Sequence, residues 1–216
     1  INTTLEDYPN IQIIATPFGA NQPETIAFYL GHLGVKEQYF NDLIRLNVNS
    51  GFIMINVVLL RPKSRGKILL KSSDPRVQPK IKTGFLTEEE DWETLLDGID
   101  FIMNLTKTEA MKSIDAKINE IHVEECKGFP SRPYWRCLIK YYAMSGYHQG
   151  GSCKMGPPSD RMAVVDSRLK VYGFNNIRVA DLSIIPTMVS GNTQATAYVI
   201  GEKVAELIKE DAAKGA

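Results

Sequence analysis

The sequence of 216 residues has no excess of charge of either sign, because 25 Lys and Arg residues balance 25 Asp and Glu residues. This balance argues against a protein that holds nucleic acid or an anionic membrane by bulk electrostatics. Long apolar runs are also missing. The longest covers residues 52–60, is interrupted by Asn56, and is far shorter than the about 20 residues that a membrane span needs. We therefore expect neither a nucleic-acid partner nor a membrane span.

Cysteine and histidine are scarce, with three residues of each. No CxxC pair occurs and the histidines are dispersed, so the sequence predicts no metal site. Cys126 and Cys137 bracket a short loop. A disulfide that closes this loop and leaves Cys153 unpaired is one interpretation, and three buried free thiols are the other. With the cysteine pair, two glycosylation sequons, at Asn2 and Asn104, favour an extracellular protein.

Phosphate-binding signatures are absent as well, since the chain contains neither a GxGxxG fingerprint nor a phosphate loop. The composition is otherwise that of a globular protein, with 44% hydrophobic and 23% charged residues. The length suits one large domain or two small ones. The chain is long enough to bury a core.

Local patterns predict several strands. Residues 10–16 have strand composition and stop at Pro17. Residues 52–61 are typical of a long buried strand, and we expect them to pair antiparallel with residues 67–71 across a turn. Residues 164–171 and 176–180 are interpreted as short strands.

Helices are predicted from capping signals and apolar periodicity. Pro23 opens a short helix and Pro133 opens another, since proline is tolerated in the first helical turn. Thr87 and Glu90 fit a capping box ahead of an apolar helical face that includes Trp92, interpreted as a core anchor. Residues 193–210 form the last amphipathic helix.

Two places could carry chemistry. His148 lies between a predicted helix and a Gly-rich turn, and histidine is the side chain best suited to proton transfer near neutral pH. Asp181 follows a predicted strand, and Asn192 precedes the last helix, whose N-terminus could stabilise negative charge. Structural interpretations stay open for both: a packed or surface histidine, and an Asn192 that only caps the helix.

Several motifs in fixed order give the chain a family resemblance. It resembles the carboxy-terminal portion of the GMC oxidoreductases, the flavin enzymes named for glucose, methanol and choline. The cysteine pair and Tyr134-Trp135 look most like the secreted arthropod branch, which includes glucose dehydrogenase-like proteins. The matching motifs are Arg61-Pro62-x-Ser64-Arg65-Gly66, Asp74-Pro75, Pro79, residues 87–98, His148-x-x-Gly151-Ser152-Cys153-Lys154-Met155-Gly156, Val164-Val165-Asp166, Arg178-Val179-Ala180-Asp181-x-Ser183-x-x-Pro186, Ser190-Gly191-Asn192-Thr193, Glu202-Lys203 and Leu207-Ile208.

The resemblance implies roles for particular residues. His148 would take the hydroxyl proton of an alcohol while hydride leaves the same carbon for N5 of FAD, and Asn192 would hydrogen-bond the substrate oxygen. Asp181 would approach the ribityl-diphosphate part of FAD, with Leu182 beside it. Thr193 and Gln194, with Asn192, would lie at the pyrimidine end of the flavin. No metal is implied.

The resemblance also implies the architecture, a mixed α+β and α/β fold. Residues 1–147 would form the substrate-binding domain, an antiparallel sheet with flanking helices. Residues 148–216 would carry the active-site histidine and return to the FAD-binding domain, adding a strand at residues 176–180 and the final helix.

The sequence departs from the family pattern in two places. Gly150-Gly151-Ser152 replaces a Val-Gly-Thr-like run, which predicts a looser histidine loop. The dinucleotide fingerprint is absent, so we expect a companion chain or a missing N-terminal region to supply it, with Ile1 marking a processing site or a truncation. A non-catalytic binding or structural protein derived from the same fold is the alternative function, and a flavin-containing lyase is a third.

Overall fold

The computed structural model describes residues 8–215. They group into two compact units. The first contains the described residues up to Ser64 together with Leu86–Gly146, and the second contains Arg65–Phe85 and the chain from Tyr147 onward. In chain order the elements are β1 (Ile11–Phe18), α1 (Pro23–His32), a 3-10 turn (Glu37–Tyr39), α2 (Asn41–Asn47), β2 (Phe52–Leu59), β3 (Lys67–Leu69), β4 (Lys80–Lys82), α3 (Glu89–Leu105), α4 (Glu109–Lys112), α5 (Arg132–Tyr142), a 3-10 turn (Leu182–Ile184) and α6 (Gln194–Ala213).

Strands β1 and β2 form an antiparallel ribbon in the first unit, in register from Ile11 opposite Leu59 to Phe18 opposite Phe52. The predicted strand at 10–16 is confirmed, but its expected end at Pro17 is wrong. Proline is tolerated at the edge of a sheet, where its missing N–H breaks no ladder bond, and β1 continues through it. The predicted pairing of residues 52–61 with 67–71 is also wrong, because β1 occupies that position.

Helix α3 packs directly on this ribbon. Leu96 and Ile102 are buried, and Gly98 lets the helix approach closely, since a Cβ built there would lie 2.5 Å from Cγ1 of Val57 and 3.0 Å from Cδ1 of Ile11. Trp92 is half-buried rather than a deep core anchor. The guanidinium of Arg136 lies 4.6 Å above its ring.

The predicted capping box places the N-cap of α3 at Thr87, one residue too early. Helix α3 begins after Glu88, whose side chain makes no cap. Instead, the Glu88 N–H donates to Oγ of Ser64 at 3.1 Å. A residue distant in sequence therefore satisfies the N–H of Glu88 at this helix end.

A buried carboxylate ties the same helix to the segment before β3. Asp91 is 2% exposed, and its two oxygens accept the backbone N–H groups of Lys63, at 2.7 Å, and Ser64, at 2.8 Å. Full hydrogen bonding of both oxygens is what makes a buried carboxylate tolerable. No local sequence pattern signals this contact.

Helix α5 closes a small aromatic core in the first unit. Tyr134 is fully buried and donates its hydroxyl to the carbonyl of Ile121 at 2.7 Å. Cys126 and Cys137 form a disulfide with Cα atoms 5.4 Å apart, which decides between the two interpretations of the cysteines. Cys153, in the second unit, is a free, half-buried thiol.

The second unit has little regular structure apart from α6 and the β3–β4 hairpin. The strands predicted at 164–171 and 176–180 are wrong, since the bonds there are isolated bridges of Val165 with Met155 and Val171, and of Lys170 with Arg178. Asp166 breaks the first segment by accepting the N–H groups of Arg168 and Lys170 in a turn. The predicted last helix is confirmed by α6. The mixed α+β class is also confirmed.

One carboxylate attaches the C-terminal end of α6 to these loops. Asp211 pairs with Nζ of Lys170 at 2.9 Å, with Arg168 at 2.6 Å and with Arg178. The hydrogen bond from Lys170, followed by the two arginines, lowers the pKa of Asp211 to about 2. The buried core of the second unit is apolar: Val165, Leu169, Ile184, Ile185, Ile200 and Leu207.

Candidate active site

The histidine loop is held in place by main-chain hydrogen bonds to the 3-10 turn Leu182–Ile184. Gly151, Cys153 and Met155 donate to the carbonyls of residues 182, 183 and 184, at 3.1, 2.8 and 2.7 Å. Every second N–H of the loop thus donates to the next carbonyl of the turn, so main-chain atoms alone make this attachment. It fixes the backbone just after His148.

The two glycines of this loop, from which the sequence predicts looseness, have a steric role in the structure. A Cβ at Gly150 would lie 2.7 Å from the carbonyl oxygen of Leu182. Gly151 has φ +84°, a conformation that favours glycine. The two glycines therefore let the loop approach its partner closely. Tyr147, just before the histidine, has φ +62°, so the chain turns sharply on both sides of His148.

The structure brings three of the predicted residues together. Nε2 of His148 lies 3.1 Å from Oδ1 of Asn192, and Nδ1 lies 2.8 Å from Oγ1 of Thr193. His148 is half-buried, Asn192 is exposed and Thr193 is 3% exposed. One edge of the imidazole therefore faces accessible space beside an amide, and the other edge is anchored in the protein.

The start of α6 creates the second half of this arrangement. Thr193 is the residue before the first helical turn, in right-handed helical backbone, and its side chain does not cap the helix. Asn192 is thus not the cap residue. The first N–H groups of a helix have no partner within it and carry partial positive charge. Just upstream, the buried Oγ of Ser190 has no hydrogen-bond partner among the described residues.

The remaining predicted residues are placed differently. Asp181 is exposed and caps the 3-10 turn by accepting the N–H of Ser183 at 2.7 Å. Hydrogen bonds from the hydroxyl and the N–H of Ser183 lower the pKa of its carboxyl. Leu182 packs against the apolar core of the unit. Gln194 is exposed and donates to the hydroxyl of Tyr198 at 3.2 Å.

Metal-ligating clusters and membrane-spanning helices are both missing from residues 8–215. That stretch contains no group of three His, Cys, Asp or Glu residues that could hold a metal ion. Each of its helices is too short or too polar to cross a bilayer. The site itself brings together the imidazole of His148, the amide of Asn192 and the start of α6.

Comparison with known proteins decides the family. Residues 62–201 match the family model for GMC oxidoreductase. The chain belongs to the GMC oxidoreductases. This match includes both the histidine loop and the start of α6.

Similar curated proteins come from insects and bacteria. The chain is 43% identical over 191 residues to glucose dehydrogenase [FAD, quinone] of Drosophila pseudoobscura pseudoobscura, covering 88% of this chain and 31% of that protein. It is 34% identical to ecdysone oxidase of Spodoptera littoralis, covering 82% and 28%. It is 32% identical to oxygen-dependent choline dehydrogenase of Pseudomonas aeruginosa, covering 94% and 32%. The chain therefore spans about a third of the length of these GMC oxidoreductases.

Solved structures share the fold. An FAD-dependent oxidoreductase from Chaetomium thermophilum matches with a TM-score of 0.64 and 25% identity, over 76% of this chain and 27% of that one. A variant of formate oxidase from Aspergillus oryzae matches with a TM-score of 0.61 and 30% identity, over 76% and 28%. The fold seen here is thus the one found in flavin-dependent members of the family.

Two features of this site could not be predicted from the sequence. The hydroxyl of Thr193 contacts the imidazole, although the residue was predicted only to lie beside the flavin. The unpartnered Ser190 Oγ was not singled out. Both features depend on how the tertiary fold places residues 190–193, and no local sequence pattern reveals this.

Proposed function

We propose that this chain is the substrate-binding and catalytic part of an FAD-dependent oxidoreductase that oxidises the CH–OH group of a small-molecule alcohol. The observation that carries the proposal is the 3.1 Å approach of His148 Nε2 and Asn192 Oδ1 at an accessible edge beside the start of α6. A proton acceptor and an amide converge there on one point, as oxidation of an alcohol requires.

The protein groups supply proton transfer and orientation. A hydroxyl placed between His148 and Asn192 would donate its proton to Nε2, which becomes a donor once protonated. Asn192 would then hold the oxygen of the substrate through its amide N–H, or accept from the protonated ring through Oδ1. Removing the hydroxyl proton makes loss of hydride from the same carbon easier. FAD, when bound, supplies the acceptor for that hydride.

The residues present fit a flavin at the start of α6. The free N–H groups of the first turn and the helix dipole favour partial negative charge, and the unpartnered Ser190 Oγ offers a further polar group nearby. Asn192, Thr193 and Gln194 would hold the pyrimidine end of the ring. Asp181 and Leu182 would lie toward the ribityl-diphosphate, where an ionised Asp181 can accept from a ribityl hydroxyl.

A further part of the proposal concerns the diphosphate. This chain lacks the glycine fingerprint, and its relatives are about three times its length. We therefore place the fingerprint in a companion region, either on a longer polypeptide or on a second chain. Residues 1–147 would form the substrate-binding wall and residues 148–216 the active-site segment.

The proposed location is extracellular. The Cys126–Cys137 disulfide suits an oxidising compartment. The sequon asparagine Asn104 is exposed at the end of α3 and accessible to modification, whereas Asn2 lies outside the described residues. A glycosidase-sensitive mass shift that Asn104→Gln reduces would support this location, and unmodified Asn104 in protein secreted from insect cells would count against it.

The test is flavin reduction by alcohols under anaerobic conditions, with this chain and the fingerprint-bearing region purified together. Stopped-flow absorbance should show bleaching by a panel of sugars and primary and secondary alcohols. His148→Ala should slow bleaching by about two to four orders of magnitude, the usual effect of losing a general base. His122→Ala, an exposed histidine in the other unit, is the matched control and should bleach normally.

Two results would refute the proposal. Bleaching of His148→Ala at the wild-type rate would remove the histidine from the reaction. A protein that retains no flavin even with the companion region would favour the non-catalytic binding or structural alternative.

A further inference from the structure

The β3–β4 hairpin carries a local excess of positive charge. Residues 65–85 contain six Lys or Arg residues and one acidic residue, Asp74, in a chain whose formal net charge is zero. The carboxylate of Asp74 already accepts two bonds from the guanidinium of Arg76, at 2.8 and 3.0 Å. Four lysines of this segment are exposed and make no ion pair with any of residues 8–215: Lys67, Lys71, Lys80 and Lys82.

The strand register gathers three of these lysines on one face. Lys67 lies directly opposite Lys82, and Leu69 lies directly opposite Lys80. Directly opposite residues of an antiparallel pair share a face, with Cβ atoms about 5 Å apart, and so do residues two apart along one strand. We call these four residues the basic face. Like charges directly opposite one another destabilise a sheet, and an anion bound across Lys67 and Lys82 would remove that cost.

The other face of the hairpin is aliphatic. Ile68 and Ile81 lie opposite each other there and are 56% and 65% exposed. Because side chains alternate along a strand, the lysines and the isoleucines point in opposite directions. The charge is therefore separated from the exposed aliphatic side chains.

This separation favours one kind of anionic partner. A bilayer surface takes up basic and apolar side chains from the same side of a segment, whereas Leu69 is the one apolar residue on the basic face. Single-stranded nucleic acid is held by basic residues together with aromatic side chains that stack on its bases, and the basic face contains no aromatic residue. A flexible chain of fixed negative charges needs neither feature.

We propose that the basic face binds a linear sulfated polysaccharide. A lysine ammonium meets a sulfate as a compact point charge, and repeated sulfates on one chain can contact several lysines at once, which strengthens the attachment. Such a partner agrees with the proposed extracellular location. The surface uses neither His148 nor Asn192, so this inference goes beyond the proposed function and does not rest on it.

Binding to immobilised heparin tests the proposal, with this chain and the companion region purified together. Surface plasmon resonance should show saturable binding that weakens as salt rises, because lysines that neutralise a polyanion release its counterions. The variant Lys67→Gln/Lys80→Gln/Lys82→Gln should bind at least about tenfold more weakly at low salt. It should also reduce the slope of log affinity against log salt by about three, roughly one for each lysine.

Two further variants separate the site from total charge. Lys36→Gln/Lys127→Gln/Lys209→Gln removes the same charge from exposed lysines that lie far apart in sequence, and it should bind as the wild type does. Replacing Lys67, Lys80 and Lys82 by arginine keeps the charge and should keep the affinity. Thermal unfolding checks that each variant folds. If the triple glutamine variant does not, Lys82→Gln alone should reduce the slope by about one.

Desulfated heparin, duplex DNA and phosphatidylserine vesicles complete the test. Binding to heparin alone among these, weakened by the hairpin variant and not by the dispersed one, would support the proposal. Equal weakening by the two glutamine variants would show that total charge is responsible and would overturn it. So would the absence of heparin binding by the complex, or binding to desulfated heparin, DNA or vesicles as tight as to heparin at the same salt concentration. None of these outcomes depends on whether alcohols bleach the flavin.

Discussion

Replacing Asp91 by alanine should strongly destabilise the first unit, because this buried carboxylate holds two backbone N–H groups. The carboxylate is 2% exposed and accepts two backbone N–H groups, from Lys63 and Ser64. Alanine leaves both donors without an acceptor and creates a small void. The segment leading from β2 toward β3 would lose its attachment to the first turn of α3.

The magnitude follows from the two hydrogen bonds. A bond to a charged acceptor contributes about 1.5–3 kcal/mol, so two give an upper figure of about 6 kcal/mol. Lys63 is itself exposed, and water can replace the acceptor there, which lowers the expected loss for Asp91→Ala to about 3 kcal/mol. Asp91→Asn keeps one acceptor oxygen and should lose about half as much.

Urea and thermal unfolding followed by circular dichroism measure the loss. For a domain of this size about 3 kcal/mol corresponds to a fall in Tm of about 6–12 °C. Glu90→Gln is the control, because Glu90 is exposed and lies 3.9 Å from Lys63 Nζ, and such a pair contributes less than about 1 kcal/mol. If Asp91→Ala unfolds within about 0.5 kcal/mol of Glu90→Gln, the buried carboxylate does not stabilise the unit as we argue.

Three further changes test other parts of the fold. Gly98→Ala places a Cβ 2.5 Å from Cγ1 of Val57. Overpacking should outweigh the gain in helix propensity and lower the free energy of unfolding in urea by about 1–2 kcal/mol. A stabilised variant would contradict the close packing. Replacing Cys126 and Cys137 by alanine removes a cross-link between residues 11 positions apart and should lower the free energy of unfolding by about 3 kcal/mol relative to the oxidised wild type. The reduced wild type should resemble the alanine variant, and an alanine variant as stable as the oxidised protein would contradict this role of the disulfide. The lowered pKa of Asp211, about 2, contributes stability that is present above about pH 4 and is lost as the pH falls toward 2. Asp211→Asn should therefore flatten the acid limb of a Tm-against-pH curve, and an unchanged limb would exclude this cluster as its cause.

Helices were predictable because their signals are local. Proline in the first turn marked α1 and α5, and apolar periodicity marked α3 and α6. The exact start of α3 was not predictable, since its first amide is satisfied by Ser64, more than twenty residues upstream. The N–H groups at the start of a helix can bond to any acceptor that the fold brings near. Local capping motifs describe only the acceptors that come from neighbouring residues.

Strand pairing was poorly predictable. The apolar run of β2 identifies a strand but not its partner, and β1 lies more than thirty residues before it. Strand β4 has three exposed residues and no apolar pattern. In residues 164–171 the β-branched composition was outweighed by Asp166, whose side chain accepts two backbone N–H groups and turns the chain.

The sequence by itself determined which side chains are available for chemistry and, by resemblance, the family. His148 and Asn192 were singled out because an imidazole and an amide suit proton transfer and oxygen binding, and because each lies beside residues that interrupt regular structure. Only the tertiary structure decided that these residues, 44 positions apart, meet at 3.1 Å. It also turned the Thr193 hydroxyl away from its helix and onto the imidazole. A hydrogen bond depends on distance in space, and distance in space is set by packing that no local pattern encodes.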